Sequence, residues 1–111
     1  MAEKIKLVQG DSLPWITLTL TDTNTGLPVD LTAVGTTVRV YFRAAGEATV
    51  LSTLLCEKLN SGSEGKVRFN FAGGALNVEP GAYEGEVEVD FGGAKQTIYD
   101  VLKFTVRSQF N

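Results

Sequence analysis

Four carboxylates stand at alternate positions in one short run: Glu84, Glu86, Glu88 and Asp90. Carboxylate pairs are what glycoside cleavage and hard-cation binding use. Spacing decides what these four can do. At alternate positions of a strand they share one face, with successive groups ~6.6 Å apart. Such a row is flat and offers a sugar no cleft, and calcium prefers carboxylates that converge from loops. In water each neighbouring repulsion is about 0.6 kcal/mol before salt screening, which basic residues on adjoining strands would offset. The row therefore reads as a charge-paired solvated face or as a docking surface for a basic partner, ahead of a metal or catalytic site.

The rest of the chain is poor in reactive groups. It has no histidine, the usual general base near neutral pH and the commonest metal ligand. A serine or cysteine nucleophile would lack that partner. Cys56 is the single cysteine and cannot make an internal disulfide. Glu57 beside it opposes a reactive thiolate, so Cys56 reads as a small apolar strand residue. No P-loop or dinucleotide fingerprint occurs. No enzymatic activity, cofactor, metal or small-molecule substrate is expected.

Aromatics are the other candidates. Trp15 has the opposite parity to Ile16, Leu18 and Leu20, so it should leave their core face. Trp15, Tyr41 and Tyr99 are candidate interface anchors. Trp15 could equally cover the sandwich rim beside Pro14. Phe110, in the terminal Ser108-Gln109-Phe110-Asn111, belongs to no strand, and that tail either docks on a neighbour or stays disordered.

These residues sit on extended elements. Between Tyr83 and Phe91, Tyr83, Val87, Val89 and Phe91 alternate with the acids, the pattern of a half-buried antiparallel strand. Six further runs show extended character: Lys4 to Val8, Trp15 to Asp22, Thr36 to Arg43, Thr49 to Lys58 (poorly alternating), Lys66 to Phe71, and Lys95 to Arg107. Turn residues separate them at intervals of roughly ten residues, as in a sandwich or barrel. A turn of helix is allowed near Leu31–Ala33 or Leu76–Val78.

The last hairpin can be specified. Gly92-Gly93 suits a primed turn with positive φ at both central positions. Paired residue numbers then sum to 185: Asp90 meets Lys95, Val87 meets Ile98, Glu86 meets Tyr99 and Tyr83 meets Leu102. Asp100 would point inward opposite Gly85, so a bulge or a departure of the strand is expected there. Leu76, Pro80-Gly81 and Tyr83 also resemble the tyrosine corner of immunoglobulin-like sandwiches, with a plain core tyrosine as the alternative. In such a fold the acidic strand lies between the strand bearing Arg39 and Arg43 and the one bearing Lys103 and Arg107.

Composition bounds the class. A chain of 111 residues, 43% hydrophobic, is most simply one domain over 1–111 that needs no metal or disulfide. No apolar stretch approaches the ~18 residues of a membrane span, and the start lacks a signal peptide's apolar segment, so synthesis in a cytoplasm is expected. A net charge of -3 gives no basic footprint for nucleic acid or an anionic membrane.

The order of the pieces carries a resemblance. Val8-Gln9-Gly10-Asp11 is followed by Gly26-Leu27-Pro28-Val29-Asp30-Leu31-Thr32 and Val38-Arg39-Val40-Tyr41-Phe42. Gly65-Lys66-Val67-Arg68-Phe69 comes next, then Pro80-Gly81-Ala82-Tyr83-Glu84-Gly85-Glu86 and Leu102-Lys103-Phe104-Thr105-Val106. Over nearly its whole length the chain resembles the N-terminal domain of phage baseplate upper proteins and related tail or fibre-attachment proteins. The resemblance implies an all-β, immunoglobulin-like antiparallel β-sandwich of about seven strands. It also implies a structural role in a tailed phage or prophage virion, with a homo-oligomer, a symmetric ring or trimer, bound to other virion proteins and made in the bacterial host cytoplasm. Members usually continue into receptor-binding domains. No further domain is expected here, so an adaptor in tail, baseplate or neck is the expected role. The alternative is a carbohydrate- or surface-binding module using Trp15, Tyr41 and Tyr99.

Overall fold

A computed structural model of the chain describes residues 4–22, 24–98 and 101–110. The acid-bearing run forms the longest strand, β7 (Gly81–Asp90), at the centre of the larger sheet. For order along the chain, β1 is Ile5–Val8, β2 Ile16–Thr19, β3 Thr37–Ala44, β4 Ser52–Leu55, β5 Glu57–Lys58 and β6 Lys66–Phe69. After β7 come β8 (Lys95–Thr97) and β9 (Leu102–Arg107). The larger sheet runs β1-β9-β7-β3-β4, with β8 also paired to β7. The smaller sheet runs β2-β6-β5. This is the immunoglobulin-like arrangement: the third, sixth and last strands of the motif in one sheet, the second, fourth and fifth in the other. As expected, β7 lies between the strand bearing Arg39 and Arg43 and the strand bearing Lys103 and Arg107.

The strand number is nine among the described residues, not seven, because two of the expected runs divide. In the Thr49–Lys58 run, Leu54 pairs with Val40 in the larger sheet while Glu57 pairs with Arg68 in the smaller. The chain changes sheets at Cys56. A run serving two sheets cannot hold one alternation, which explains its poor pattern. The last run divides into β8 and β9. The sandwich is also not wholly antiparallel, since β1 runs parallel to β9.

The final hairpin keeps its expected register only near the turn. Asp90 meets Lys95 and Glu88 meets Thr97, and the Ile98 N–H donates to the Val87 carbonyl at 2.8 Å. Beyond that point Gly85 meets Leu102 and Tyr83 meets Phe104, not Leu102. The returning strand thus takes two more residues than β7 over the same stretch. An even insertion preserves which face each side chain takes, so alternation gave the right faces and the wrong neighbours. Asp100 and Tyr99, with the expected Glu86–Tyr99 pairing, lie outside the described residues. At the turn only Gly92 has positive φ (93°), not both glycines as expected.

Aromatic rings fill the space between the sheets. Phe42, Phe69, Phe71, Tyr83 and Phe104 form a chain of contacts with centroids 5.1 to 5.9 Å apart. Val38, Val40, Val67, Val87 and Val89 complete the buried layers. Ile16 and Leu18 pack against this core but are only partly buried, because β2 is an edge strand. The tyrosine corner is present: the Tyr83 hydroxyl donates to the Glu79 carbonyl. Burial, and then the Glu79 charge, raise the Tyr83 phenol above its ordinary pKa. The short helical turn falls at Asn60–Gly62 and not at Leu31–Ala33 or Leu76–Val78.

Candidate interaction surface

The alternation of β7 puts Val87 and Val89 inside and leaves the acids on the outer face of the larger sheet. The neighbouring strands supply charges of the opposite sign. Glu84 sits in register between Arg43 of β3 and Lys103 of β9. Arg43 donates through Nε to Glu84 Oε1 at 3.2 Å, and its Nη2 lies 3.1 Å from the same oxygen. Arg39 stands opposite Glu88 but reaches diagonally, with Nη1 3.8 Å from Asp90 Oδ2. Asp90 is flanked on its other side by Lys95.

Tyr41 belongs to this surface. It stands opposite Glu86, yet its hydroxyl donates to Glu88 Oε1 at 2.8 Å. That hydrogen bond, followed by partial burial and the Glu88 charge, raises the phenol's pKa. Glu86 is left exposed and has no ion pair or hydrogen bond among the described residues. The face is therefore a neutralised lattice with one exposed carboxylate near its middle. The acids share a plane and do not converge on a point.

The other candidates lie elsewhere. Trp15 is half-exposed and packs against Arg68, whose Cζ is 4.2 Å from the ring centroid. Arg68 also binds Glu57 and occupies the outer face of the smaller sheet. Trp15 and Tyr41 thus stand on opposite faces of the sandwich and form no shared aromatic platform. Phe110 is almost fully exposed, with the Arg107 guanidinium 5.2 Å from its ring centroid. Arg107 itself lies past the end of the β7 pairing, opposite Val8, so it does not join the acidic lattice.

Among the described residues, two of the cavities border the sheets. One of about 210 Å³ lies at the β1–β9 edge, lined by Lys6, Leu7, Val8, Thr105 and Arg107. The other, about 240 Å³, lies where Leu18 and Leu20 meet Val87, Ile98 and Leu102. Neither is lined by a carboxylate or a cysteine. Cys56 is held by burial in its protonated form, its pKa pushed up to about 12.

A further exposed surface was not expected from the sequence. Val50 and Leu51, just before β4, and Leu55 within it are exposed apolar residues at an outer edge of the larger sheet. The signal was present as Val50–Cys56, seven consecutive residues without a charge. No protein-family model matches the chain, and no curated protein is detectably similar to it.

Proposed function

We propose that the chain is a structural component of a tailed phage or prophage particle. It would be a protein–protein adaptor in the tail, baseplate or neck that assembles with other virion proteins as a homo-oligomer. The observation that carries this reading is the outer face of the larger sheet. There Glu84, Glu86, Glu88 and Asp90 are interleaved with Arg39, Arg43, Lys95 and Lys103 on a rigid sandwich. Such a face suits recognition of another protein by charge pattern, which fixes register and disfavours wrong partners. It has no group poised for bond making or breaking. The ordered motifs resembling phage baseplate and tail proteins add a fold-level analogy, because an immunoglobulin-like sandwich is what they imply.

The reading places the chain in the virion after synthesis in the bacterial host, with no nucleic acid, membrane or small-molecule substrate as its partner. Mass spectrometry of gradient-purified particles from the encoding phage or prophage tests it. The chain should be present at a fixed ratio to the other tail proteins. Its absence from intact particles would end the proposal.

A further inference from the structure

The outer face of the larger sheet is not uniform in charge. On β3 and β7 acids and bases are interleaved and pair with one another. β1 and β9 carry no acid. Their outward residues are Lys6 and Val8 on one strand and Lys103, Thr105 and Arg107 on the other. Lys4, two residues before Lys6, is exposed as well. The parallel register sets Lys6 beside Thr105 and Val8 beside Arg107. Lys4, Lys6, Lys103 and Arg107 therefore form a basic strip on two adjacent strands, with ~13 Å from Lys103 to Arg107. None of the four forms an ion pair with a described residue. Lys103 stands in register with Glu84, but Glu84 is held by Arg43.

The strip contains a notch. Thr105 lies in register between Lys6 of β1 and Ala82 of β7. The short Thr105 and Ala82 side chains sit low between Lys103 and Arg107. The cavity of about 210 Å³ is found here, lined by Lys6, Leu7, Val8, Thr105 and Arg107. Arg107 is steadied by the hydrogen bond from its Nη1 to the Ser108 carbonyl at 2.8 Å and by the Phe110 ring. A guanidinium has five N–H donors, so others remain for an anion. An ammonium, a guanidinium and a hydroxyl thus border one small volume, a donor set that suits a carboxylate.

We propose that this strip is a docking surface for an extended acidic segment of another protein, with carboxylates at alternate positions. Such a segment sets successive carboxylates ~6.6 Å apart, the spacing of alternate residues along β1 and β9. One of them enters the notch between Lys6 and Arg107. Charge selects this occupant. The chain has ten lysines and arginines and thirteen acids, so the surface outside the strip keeps six cations against all thirteen acids. A long polyanion or an anionic membrane reaches past the strip and meets that acidic remainder, whereas a short acidic segment stays within it. A second copy offers no matching row, because its Glu84, Glu88 and Asp90 are held by Arg43, Tyr41 and Arg39.

This rests on the adaptor reading for a protein as the occupant, but binding in solution tests it without virions. The probe is a short peptide of alternating glutamate and threonine with blocked ends, followed by fluorescence anisotropy. The wild-type chain is expected to bind it, less tightly as salt rises, and not to bind the glutamine counterpart. Lys6→Gln and Arg107→Gln should each raise the dissociation constant about two- to fivefold, and the double variant about tenfold. Lys58→Gln, on the smaller sheet, should leave it unchanged. No binding at about 1 mM peptide, or equal binding by the double variant, overturns the proposal. Tighter binding of a single-stranded oligonucleotide or of phosphatidylserine vesicles than of the peptide also overturns it. Peptide binding by a chain that is absent from virions would remove only the virion assignment. Presence in virions without peptide binding would remove only this docking surface.

Discussion

Tyr83 and Glu79 are joined by a hydrogen bond from the phenol to the backbone carbonyl, across the corner that leads into β7. The same ring stacks on Phe42 at 5.1 Å with planes 12° apart. The phenol thus ties the loop to the strand that carries the acids. Tyr83→Phe keeps the stack and loses the bond, and should cost roughly 1 kcal/mol in urea denaturation. Tyr83→Ala also removes the ring and should cost about 3–5 kcal/mol. Equal stability of Tyr83→Phe and wild type would show that the corner bond contributes nothing.

Gly85 interrupts the inward row of β7 between Tyr83 and Val87 for a packing reason. A Cβ there would lie 2.9 Å from Phe104 Cε2 and 3.0 Å from Val40 Cγ1. The Phe104 ring occupies the space that a side chain would need. Gly85→Ala should destabilise by about 1–3 kcal/mol through overpacking, read as a lower thermal midpoint. A neutral result would mean that the ring moves aside freely.

The acidic lattice should matter little to stability. The Arg43–Glu84 pair is partly exposed, with side-chain exposures of 41% and 21%. Glu84→Gln should therefore cost less than about 1 kcal/mol, and less still in high salt. Glu86→Gln should change stability by no more than about 0.5 kcal/mol. Urea titrations at low and high ionic strength check both. A loss well above 1 kcal/mol for Glu86→Gln would reveal a partner not seen among the described residues.

Alkaline pH should weaken the fold. Burial pushes the Cys56 thiol from 9.0 up to about 12, and the phenols of Tyr41 and Tyr83 are also raised. In each case the folded state holds its proton more tightly than the unfolded chain. Their contribution is complete below the unfolded values, and it is lost as pH rises from about 9 through the folded values. Cys56→Ala should flatten the fall in thermal midpoint between pH 9 and 11. The wild-type thiol should react with a disulfide reagent at pH 8 more slowly than free cysteine. Rapid modification of folded protein would contradict this.

Much of the fold was legible because alternation reports faces directly. Val38, Val40, Val87, Val89 and Phe104 are buried where their parity placed them. Parity does not report neighbours once residues are inserted in pairs, which is why Tyr83 met Phe104 and not Leu102. It also fails where one run serves two sheets, as on either side of Cys56. The acids and their basic flanks were readable from Arg39, Arg43 and Lys103. The diagonal partners, Arg39 with Asp90 and Tyr41 with Glu88, depend on side-chain reach across the pleat, which spacing does not encode. Trp15 left the core face as its parity required, but only the assembled sheets place it opposite Tyr41.

In the proposed function the charged outer face of the larger sheet meets other virion proteins. Lysine cross-linking of purified particles, with the linked peptides identified by mass spectrometry, tests it most directly. Lys95 and Lys103 flank the acids on that face, whereas Lys58 and Lys66 belong to the smaller sheet. Cross-links from Lys95 and Lys103 to other particle proteins are expected. Links to other proteins only from Lys58 and Lys66 would contradict the account.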